Sequence, residues 1–314
     1  MDIMTLGEVL IDLTQTELPP DGIRRFAAYP GGAPANVAVA AARLGARTGF
    51  IGKVGLDSFG KDLKQVLRDN GVDTSGLYQT EAAPTTLAIV SVNRGERSFS
   101  FYRSPGADTL LEAHEVLNVL REQEKPVFLH LGSLSLTAEP ARSASLAALE
   151  YARDNGICVS YDPNYRASLW PSEKTAVRWM KTPLPFADIL KVSDEELLLL
   201  TKQSDLDSGC EKLASYGPKL ILVTLGAEGV YYRLGERSGR VPGCSVSVTD
   251  TNGAGDTFLG ALLSRLARRP GGPLAGLEPE ELEAHLAFAN RAAALTCSRS
   301  GAIPAMPTAA ELED

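Results

Sequence analysis

The chain has 314 residues, which is enough for one large domain or two modest ones. Hydrophobic residues make up 44% of it and charged residues 22%, a composition that excludes collagen-like and wholly disordered proteins. Acidic residues outnumber basic ones by 39 to 31, and the resulting net charge of −8 argues against a broad basic surface for nucleic acid or anionic lipid.

Apolar runs and cysteine spacing narrow the class further. No apolar run reaches the roughly 20 residues of a membrane helix, and the first residues lack the basic segment of a signal peptide, so we expect no membrane association and no export. The four cysteines form neither a CxxC pair nor a zinc pattern with the three histidines. They are predicted to be reduced thiols, which favours a cytoplasmic location.

Strand-like and helical patterns alternate along the chain from its start. Ile3–Leu13 and Thr48–Gly52 predict strands, whereas Ala33–Leu44 and Ser58–Asn70 predict helices. This alternation is typical of βαβ units, and it resumes near residue 127. The sequence therefore predicts one α/β domain over residues 1–314, with a mostly parallel sheet covered by helices on both faces.

A hairpin pattern interrupts this order. Thr86–Val92 and Arg97–Arg103 alternate with period two around a turn that contains Gly95. Phe101 and Arg103 fall on one face of the second arm. Together with residues 13–30, residues 85–104 predict a small β lid over a site; the alternative is an ordinary hairpin at the edge of the main sheet.

The sequence Asp250-Thr-Asn-Gly-Ala-Gly-Asp-Thr-Phe258 stands just before an amphipathic helix. Gly253 and Gly255 allow close approach of a ligand, and the unpaired amides of a first helical turn favour an anion such as phosphate. Asp256 would lie in that turn, with a low pKa, and accept a proton from an attacking hydroxyl. The alternative is a plain turn and helix start.

A second glycine pair, Gly31 and Gly32, opens the helix that carries Asn36. Asp12 lies at the end of the first predicted strand, and ligands of open α/β sheets bind at the carboxyl ends of strands. Asp12 and Asn36 are therefore candidates for binding sugar hydroxyls. The alternative is a helix lead-in and a turn-forming aspartate.

Two later segments follow predicted buried strands in the same way. Asp162-Pro-Asn164-Tyr-Arg166 is either part of the same crevice or a polar turn. Thr224-Leu-Gly226-Ala-Glu-Gly229 follows the next strand but one and is placed to pass close to a nucleotide.

These segments together resemble the ribokinase-like carbohydrate kinases, also called the phosphofructokinase-B family, over essentially the whole chain. The two family signatures match Gly31–Gly55 and Asp250–Leu263. The segments Phe101–Asp108, Asp162–Arg166, Lys191–Glu196 and Gly301–Ala305 most resemble those of fructokinases.

The resemblance implies a three-layer αβα domain with a small β lid and transfer of the ATP γ-phosphoryl group to a sugar CH₂OH. Asp256 would be the base, and Gly253, Ala254 and Gly255 the anion hole. Near the sugar the family positions are Asp12, Gly31, Gly32, Asn36, Phe101, Arg103, Asp162, Asn164, Arg166 and Asp256. On the nucleotide side they are Lys191, Ser193, Glu196, Thr224, Gly226, Gly229, Gly253, Gly255 and Asn290.

The resemblance also implies metal ions and a partner. Glu196 matches the last residue of the family's Asn-x-x-Glu motif, which is linked to Mg²⁺ and phosphate, although Ser193 replaces the Asn. Asp250 and Thr251 match the start of a monovalent-cation site, for which K⁺ is the candidate. Asn252 departs from the commoner Thr. Relatives often dimerise through their lids, so a homodimer is expected.

The leading hypothesis is a fructokinase that makes fructose 6-phosphate. A kinase for 2-keto-3-deoxygluconate, aminoimidazole riboside or another ribosyl compound is the alternative within the class, because Arg103 and Arg166 suit a carboxylate or a polar ring equally well. A non-catalytic sugar or nucleotide sensor on the same scaffold is the alternative of another class.

Overall fold

A large mixed sheet forms the centre of the protein in a computed structural model. The model describes residues 1–16, 22–93 and 96–312, with no side-chain detail for 91–93 and 96–99. The strands of this sheet are β1 (Ile3–Leu6), β4 (Thr48–Gly55), β5 (Val72–Asp73), β6 (Leu77–Thr80), β9 (Phe128–Gly132), β10 (Cys158–Asp162), β11 (Ile189–Ser193), β12 (Leu220–Thr224), β13 (Val230–Leu234) and β14 (Arg237–Val241).

The order of these strands is β14-β13-β12-β11-β10-β9-β1-β4-β5, with β6 also paired to β4. All neighbours are parallel except the β12–β13 and β13–β14 pairs. The predicted mostly parallel sheet is therefore confirmed, with an antiparallel hairpin at one edge. The carboxyl ends of the parallel strands lie along one edge of the sheet, where ligands of open α/β folds usually bind.

Helices cover both faces of this sheet. They are α1 (Ala33–Arg43), α2 (Ser58–Asp69), α3 (Ala113–Glu122), α4 (Ala141–Asp154), α5 (Glu173–Lys181), α6 (Asp194–Thr201), α7 (Leu206–Ala214), α8 (Ala254–Leu266) and α9 (Pro279–Cys297). None of the helices in the described part of the chain is long and apolar enough to span a bilayer.

Neighbouring residues of β1 point to opposite faces and separate the two helical layers. Ile3 packs in a buried cluster with residues of α1, α8 and α9. Met4 packs in another buried cluster, with residues of α3 to α7. The domain therefore has the expected three αβα layers.

A smaller sheet is formed by β2 (Leu10–Gln15), β3 (Phe26–Gly31), β7 (Leu87–Asn93) and β8 (Glu96–Tyr102). Its order is β3-β2-β7-β8. The β7–β8 hairpin pairs with β2 rather than with the central sheet, so it is not a hairpin at the edge of the main sheet. We call this smaller sheet the lid; of the segments predicted for it, residues 17–21 and 94–95 lie outside the described residues.

The prediction of one strand over Ile3–Leu13 is wrong. The chain leaves the central sheet after Leu6, because Gly7 adopts a φ of 149° that a side chain would disfavour. A Cβ on Gly7 would also lie only 2.7 Å from Pro34. Asp12 therefore belongs to β2 of the lid and not to the end of a central strand.

Candidate active site

The start of α8 forms a small concave turn of backbone amides. Gly253 precedes the helix in the left-handed conformation, with φ 74°, and a Cβ there would lie 2.8 Å from the Ala302 side chain. The first-turn amides of Gly255 and Asp256 have no acceptor within the helix. This geometry suits a small anion bound by main-chain nitrogens.

Asp256 occupies the third position of this helix and is joined to α1. Asn36 Nδ2 donates a hydrogen bond of 2.8 Å to Asp256 Oδ2. The two helices approach closely because Gly260 lacks a side chain: a Cβ on it would lie 2.7 Å from Ala40 Cβ. Helix α1 thus fixes the carboxylate that the sequence assigns as the base.

Burial raises the pKa of Asp256 to about 6, and the hydrogen bond from Asn36 only partly opposes this. The expectation of a low pKa is therefore wrong. The first turn of α8 does favour negative charge, but only 8% of Asp256 is exposed, and the loss of hydration is the larger effect. A pKa near 6 leaves the group mostly ionised at neutral pH and able to accept a proton.

A cleft opens beside this carboxylate between the main domain and the lid, and we call it the Asp256 cleft. Eight residues singled out from the sequence line it: Asp12, Gly32, Asn36, Phe101, Asn164, Arg166, Gly253 and Asp256. Seven residues that were not assigned to a site from the sequence also line it: Glu8, Leu10, Ala33, Val90, Leu134, Asn252 and Ala302.

Asp12 faces Asp256 across this cleft from β2. Burial raises the pKa of Asp12 to about 6; the Arg166 guanidinium lowers it, whereas Asp256 adds to the increase. Gly31 does not line the cleft but makes room for this carboxylate, since a Cβ there would lie 2.4 Å from Asp12 Oδ2.

Glu8 is the acidic residue of the cleft that sequence reasoning missed. Its Oε1 accepts a hydrogen bond of 3.2 Å from the amide of Ala33, the first residue of α1, whereas its Oε2 is buried without a hydrogen-bond partner. Burial raises the pKa of Glu8 to about 7. The position after Gly7, in a run interpreted as one continuous strand, gave no signal of a site.

A second cleft, the Lys191 cleft, shares Asn164 and Arg166 with the first and is also lined by Asp162, Ser193 and Glu196. Lys191 Nζ lies 2.6 Å from Asp162 Oδ2 in a buried ion pair. It also lies close to the start of α8, since a Cβ on Gly255 would be 3.1 Å from this nitrogen. A cation therefore stands beside the amide turn.

The charge of Lys191 is held by its surroundings. Burial alone would lower its pKa, but the carboxylates of Asp162, Glu196 and Asp256 outweigh that effect, and the pKa is raised. Lys191 is therefore a permanent positive charge that lines the Lys191 cleft and lies close to the start of α8.

Glu196 is tied to the backbone on both oxygens. Oε1 accepts a hydrogen bond of 2.6 Å from the amide of Tyr165, and Oε2 accepts one of 2.9 Å from the amide of Ser193. Ser193 in turn caps α6 by accepting from the amide of Glu196. Serine thus performs the capping that Asn would perform at this position.

The predicted nucleotide residues of the later strands line neither cleft, although Thr224 pairs in the sheet with Ser193 of the Lys191 cleft. Thr224 ends β12, and Gly226 follows it with a φ of 57°. Gly229 packs against the backbone of 241–243, to which Asn290 also donates, at 3.3 Å to Val241 O and 2.9 Å to Pro242 O. Gly229 and Asn290 thus hold the β12–β13 loop and α9 against the segment that follows β14.

Asp250 organises the loop before α8. Its Oδ1 accepts from the amide of Asn252 at 3.1 Å, and its Oδ2 accepts from the amide of Gly301 at 3.1 Å. Thr251 beside it is exposed. Asn252 also donates to Asp250 through its side chain, at 3.4 Å, a contact that explains how Asn serves where Thr is commoner.

Arg103 lies at the root of the lid and does not line either cleft. Its guanidinium is bound to Asp108, to Thr137 Oγ1 at 2.6 Å and to the carbonyl of Leu134 at 3.0 Å. The side chain that was expected near the sugar is thus engaged within the protein.

Comparison with known proteins connects this site to a family. Residues 1–309 match the pfkB family carbohydrate kinase model. The chain is 44% identical to fructokinase-1 of Oryza sativa subsp. japonica over 319 aligned positions, which cover 99% of this chain and 96% of the relative.

Solved structures agree with this relationship. A fructokinase from Xylella fastidiosa with bound ATP has a TM-score of 0.92 and 36% identity, and covers 99% of this chain and 97% of its own. A fructokinase double mutant from Vibrio cholerae O395, bound to fructose, ADP and potassium ion, has a TM-score of 0.89 and 34% identity, with 100% and 97% covered. The chain therefore belongs to the pfkB family of carbohydrate kinases.

Proposed function

We propose that this carbohydrate kinase is an ATP-dependent fructokinase, which converts D-fructose to fructose 6-phosphate. One observation carries the proposal: the buried Asp256 carboxylate, hydrogen-bonded to Asn36, lies between an amide turn suited to phosphate and a cleft rich in hydroxyl acceptors. The near full-length similarity to fructokinases supports fructose as the acceptor.

In this proposal Asp256 takes the proton of the sugar CH₂OH as its oxygen attacks the γ-phosphorus of ATP. The bond from that phosphorus to the bridging oxygen breaks, and ADP leaves. Amides of Gly253, Ala254 and Gly255 would stabilise the phosphate oxygens in the transition state, the Ala254 amide by exchanging its 3.3 Å hydrogen bond to the Thr251 carbonyl for one to phosphate. The positively charged Lys191, whose Nζ lies close to Gly255, would add to that stabilisation.

Residues of the Asp256 cleft would bind the sugar. Asp12 and Asn36 offer acceptors for hydroxyl groups, and the side-chain oxygen of Asn36 is buried with no partner of its own. Phe101 would cover the apolar face of the ring, while Asn164 and Arg166 lie where sugar and phosphate meet. Gly32 allows the chain to pass close to the ligand.

Mg²⁺ would neutralise the phosphate oxygens when bound with ATP. Among the described residues no cluster of three or more His, Cys, Asp or Glu side chains could hold a metal alone. That fits an ion held chiefly by phosphates and water. Glu196, with both oxygens accepting backbone hydrogen bonds, would act on it indirectly. A monovalent cation, K⁺, is proposed beside Asp250 and Thr251.

Two further parts of the proposal concern the whole protein. Phe26 and Tyr102 are exposed on the two outer strands of the lid, by 38% and 62%, which supports a homodimer formed through the lids. A cytoplasmic location is supported by four cysteines that form no disulfide. The acidic net charge remains the reason to expect no nucleic-acid partner.

A panel of acceptors with ATP and Mg²⁺ tests the function. Fructose, ribose, 2-keto-3-deoxygluconate, aminoimidazole riboside and nucleosides are supplied in parallel, and ADP formation and the phosphorylated product are measured. We expect fructose to give the highest kcat/KM. A higher value for another acceptor would reassign the substrate, and no transfer to any acceptor would favour a sensor.

A further inference from the structure

Arg103 is buried at the base of the lid, with its side chain only 5% exposed. Nε lies 2.7 Å and Nη2 2.6 Å from Asp108 Oδ2, so two guanidinium nitrogens meet one carboxylate oxygen in a buried, charge-assisted ion pair. Because the guanidinium also binds Thr137 and the Leu134 carbonyl, it cannot reach into the Asp256 cleft without breaking these contacts.

Asp108 joins both ends of the β7–β8 hairpin to the main domain. Thr86, the residue before β7, donates to its Oδ1 at 2.5 Å, and Arg103, the residue after β8, donates to its Oδ2. The Asp108 side chain is 2% exposed. One buried carboxylate therefore holds the two points at which the hairpin leaves the domain.

Packing around this carboxylate leaves no room for a side chain at position 106. A Cβ on Gly106 would lie 2.0 Å from Thr86 Oγ1 and 2.9 Å from Asp108 Oδ1. Thr85, next to Thr86, is held separately, since its amide and hydroxyl both donate to Asp57, at 2.8 and 2.7 Å. The start of the hairpin is thus anchored through two carboxylates.

The end of the hairpin leads directly to the ligand cleft. Phe101, in β8, lies two residues before Arg103 and lines the Asp256 cleft. Leu134, whose carbonyl accepts from Arg103, lines the same cleft from the main domain. A displacement of the backbone at Arg103 away from Leu134 would therefore shift Phe101 relative to Leu134 across the cleft.

We propose that Arg103 and Asp108 are positioning residues of the sugar site, which hold the lid hairpin so that Phe101 covers the cleft, and that neither touches the sugar. The part that concerns sugar rests on the proposed function. Glu8 is also buried and faces this pair: the charge of Arg103 lowers the pKa of Glu8, whereas that of Asp108 raises it.

The test compares Asp108→Asn and Thr137→Val with the wild type. Asn keeps the shape of Asp but loses the charge that binds Arg103, and Val removes one contact on the other side of the guanidinium. We expect Asp108→Asn to raise KM for fructose by about 10–100-fold, because small displacements at a site cost that much, with KM for ATP nearly unchanged. Thr137→Val should change KM in the same direction by less.

Hydrogen exchange of the lid gives a readout independent of substrate. Amides of residues 87–93 and 96–102 should exchange about tenfold faster in Asp108→Asn, while those of β12 stay unchanged. The matched control is Glu281→Gln, which removes the carboxylate of an Arg269 fork, bound at 2.7 and 2.8 Å and remote from the lid. It should alter neither lid exchange nor KM for fructose.

Several results would overturn the proposal. One is unchanged lid exchange in both Asp108→Asn and Thr137→Val. Another is a higher KM for fructose in Arg103→Lys together with a wild-type value in Asp108→Asn, which would indicate direct contact between Arg103 and sugar. If Asp108→Asn fails to fold, Thr137→Val decides. If the wild type does not phosphorylate fructose, the proposed function fails, and lid exchange still decides whether the pair holds the hairpin.

Discussion

Burial determines the protonation of the three carboxyl groups of the Asp256 cleft. The pKa of Glu8 is raised to about 7, and those of Asp12 and Asp256 to about 6, with loss of hydration as the largest cause in each case. The hydrogen bond from Asn36 lowers the pKa of Asp256 and the charge of Arg166 lowers that of Asp12, whereas one oxygen of Glu8 has no hydrogen-bond partner. At pH 7 Asp256 is therefore mostly ionised, while Glu8 in the same cleft is about half neutral.

The raised pKa of Asp256 predicts an acidic limb in the pH profile. A base acts in its ionised form, and kcat/KM reports the pKa of the enzyme without bound fructose, so kcat/KM for fructose should fall about tenfold per pH unit below pH 6. Initial rates from pH 5 to 8 measure it. In Asp12→Asn the limb should persist at a slightly lower pH, because a like charge has been removed. A flat profile down to pH 5 would contradict the role of Asp256.

The raised pKa of Glu8 predicts that this residue lowers stability in alkaline solution. Because the folded-state pKa lies above the unfolded value, ionisation of Glu8 destabilises the folded protein. This destabilisation is absent below about pH 4.5 and complete above about pH 7. Glu8→Gln should therefore raise the free energy of unfolding at pH 8, by about 3 kcal/mol at most for a shift from 4.5 to about 7, and by far less at pH 5.

Urea denaturation of both proteins at the two pH values measures this difference. The amide oxygen of Gln can still accept from Ala33, so that contact is preserved. An equal change at pH 5 and pH 8 would indicate that ionisation of Glu8 is not the cause.

At this scale the sequence identified most of the cleft, because glycine pairs and polar residues after strands carry their own signals. Glu8 was missed because Gly7, at which the chain turns, was included in one continuous strand. The predicted pKa of Asp256 was wrong because position in a helix is visible in sequence, whereas depth of burial is not. Arg103 was assigned to the sugar by family resemblance, and its ion pair with Asp108 could not be read from the sequence.

Among the elements, the crossing of α1 and α8 brings the Asp256 carboxylate to its hydrogen-bond donor, Asn36. The crossing depends on Gly260, since any side chain there would meet Ala40 and the carbonyl of Val37, 2.8 Å away. The sequence predicted both helices and their buried stripes. It could not predict that they touch, because a glycine inside a helix pattern does not say which helix lies against it.

This crossing makes a prediction that opposes helix propensity. Alanine favours a helix over glycine by about 1 kcal/mol, yet Gly260→Ala should destabilise the protein by about 1–3 kcal/mol through overpacking. It should also lower kcat by displacing Asn36 from Asp256. Ser264→Ala on the same helix, which loses only a bond to Ala261 O, is the control. Thermal unfolding and kcat measure both effects; a more stable, fully active Gly260→Ala would contradict the close crossing.

The arrangement of the strands could also be predicted only in part from the sequence. Apolar runs and βαβ spacing predicted a mostly parallel sheet, and period-two alternation predicted the β7–β8 hairpin. The break after Leu6 escaped prediction because the mostly apolar segment Ile3–Leu13 was interpreted as one strand; the pairing of the strands and the φ of Gly7 show that β1 and β2 belong to different sheets.

For the whole molecule, two layers of helices fix the central sheet, and the lid is attached at few points. The carboxyl ends of the strands, the start of α8 and the lid meet at the Asp256 cleft, so the proposed reaction would take place where the main αβα domain faces the lid. Closure of such a sheet excludes water, which would otherwise compete with the sugar as acceptor.

The exposed lid also predicts the state of assembly. We expect the wild type to elute as a dimer in size-exclusion chromatography with light scattering, because Phe26 and Tyr102 would be buried against a second copy. The double variant Phe26→Lys, Tyr102→Lys should elute as a monomer, since charge at both sites opposes burial. A wild type that stays monomeric at assay concentration would contradict this arrangement.

The most direct measurement is kcat of Asp256→Asn with fructose and ATP, made alongside fructose binding by calorimetry and circular dichroism. Asn keeps the size of the side chain and one oxygen that can accept from Asn36, but it cannot take the hydroxyl proton. We expect a native spectrum, fructose affinity close to wild type and a loss of kcat of about a thousandfold. A variant that turns over within tenfold of wild type would contradict the assignment of Asp256 as the base.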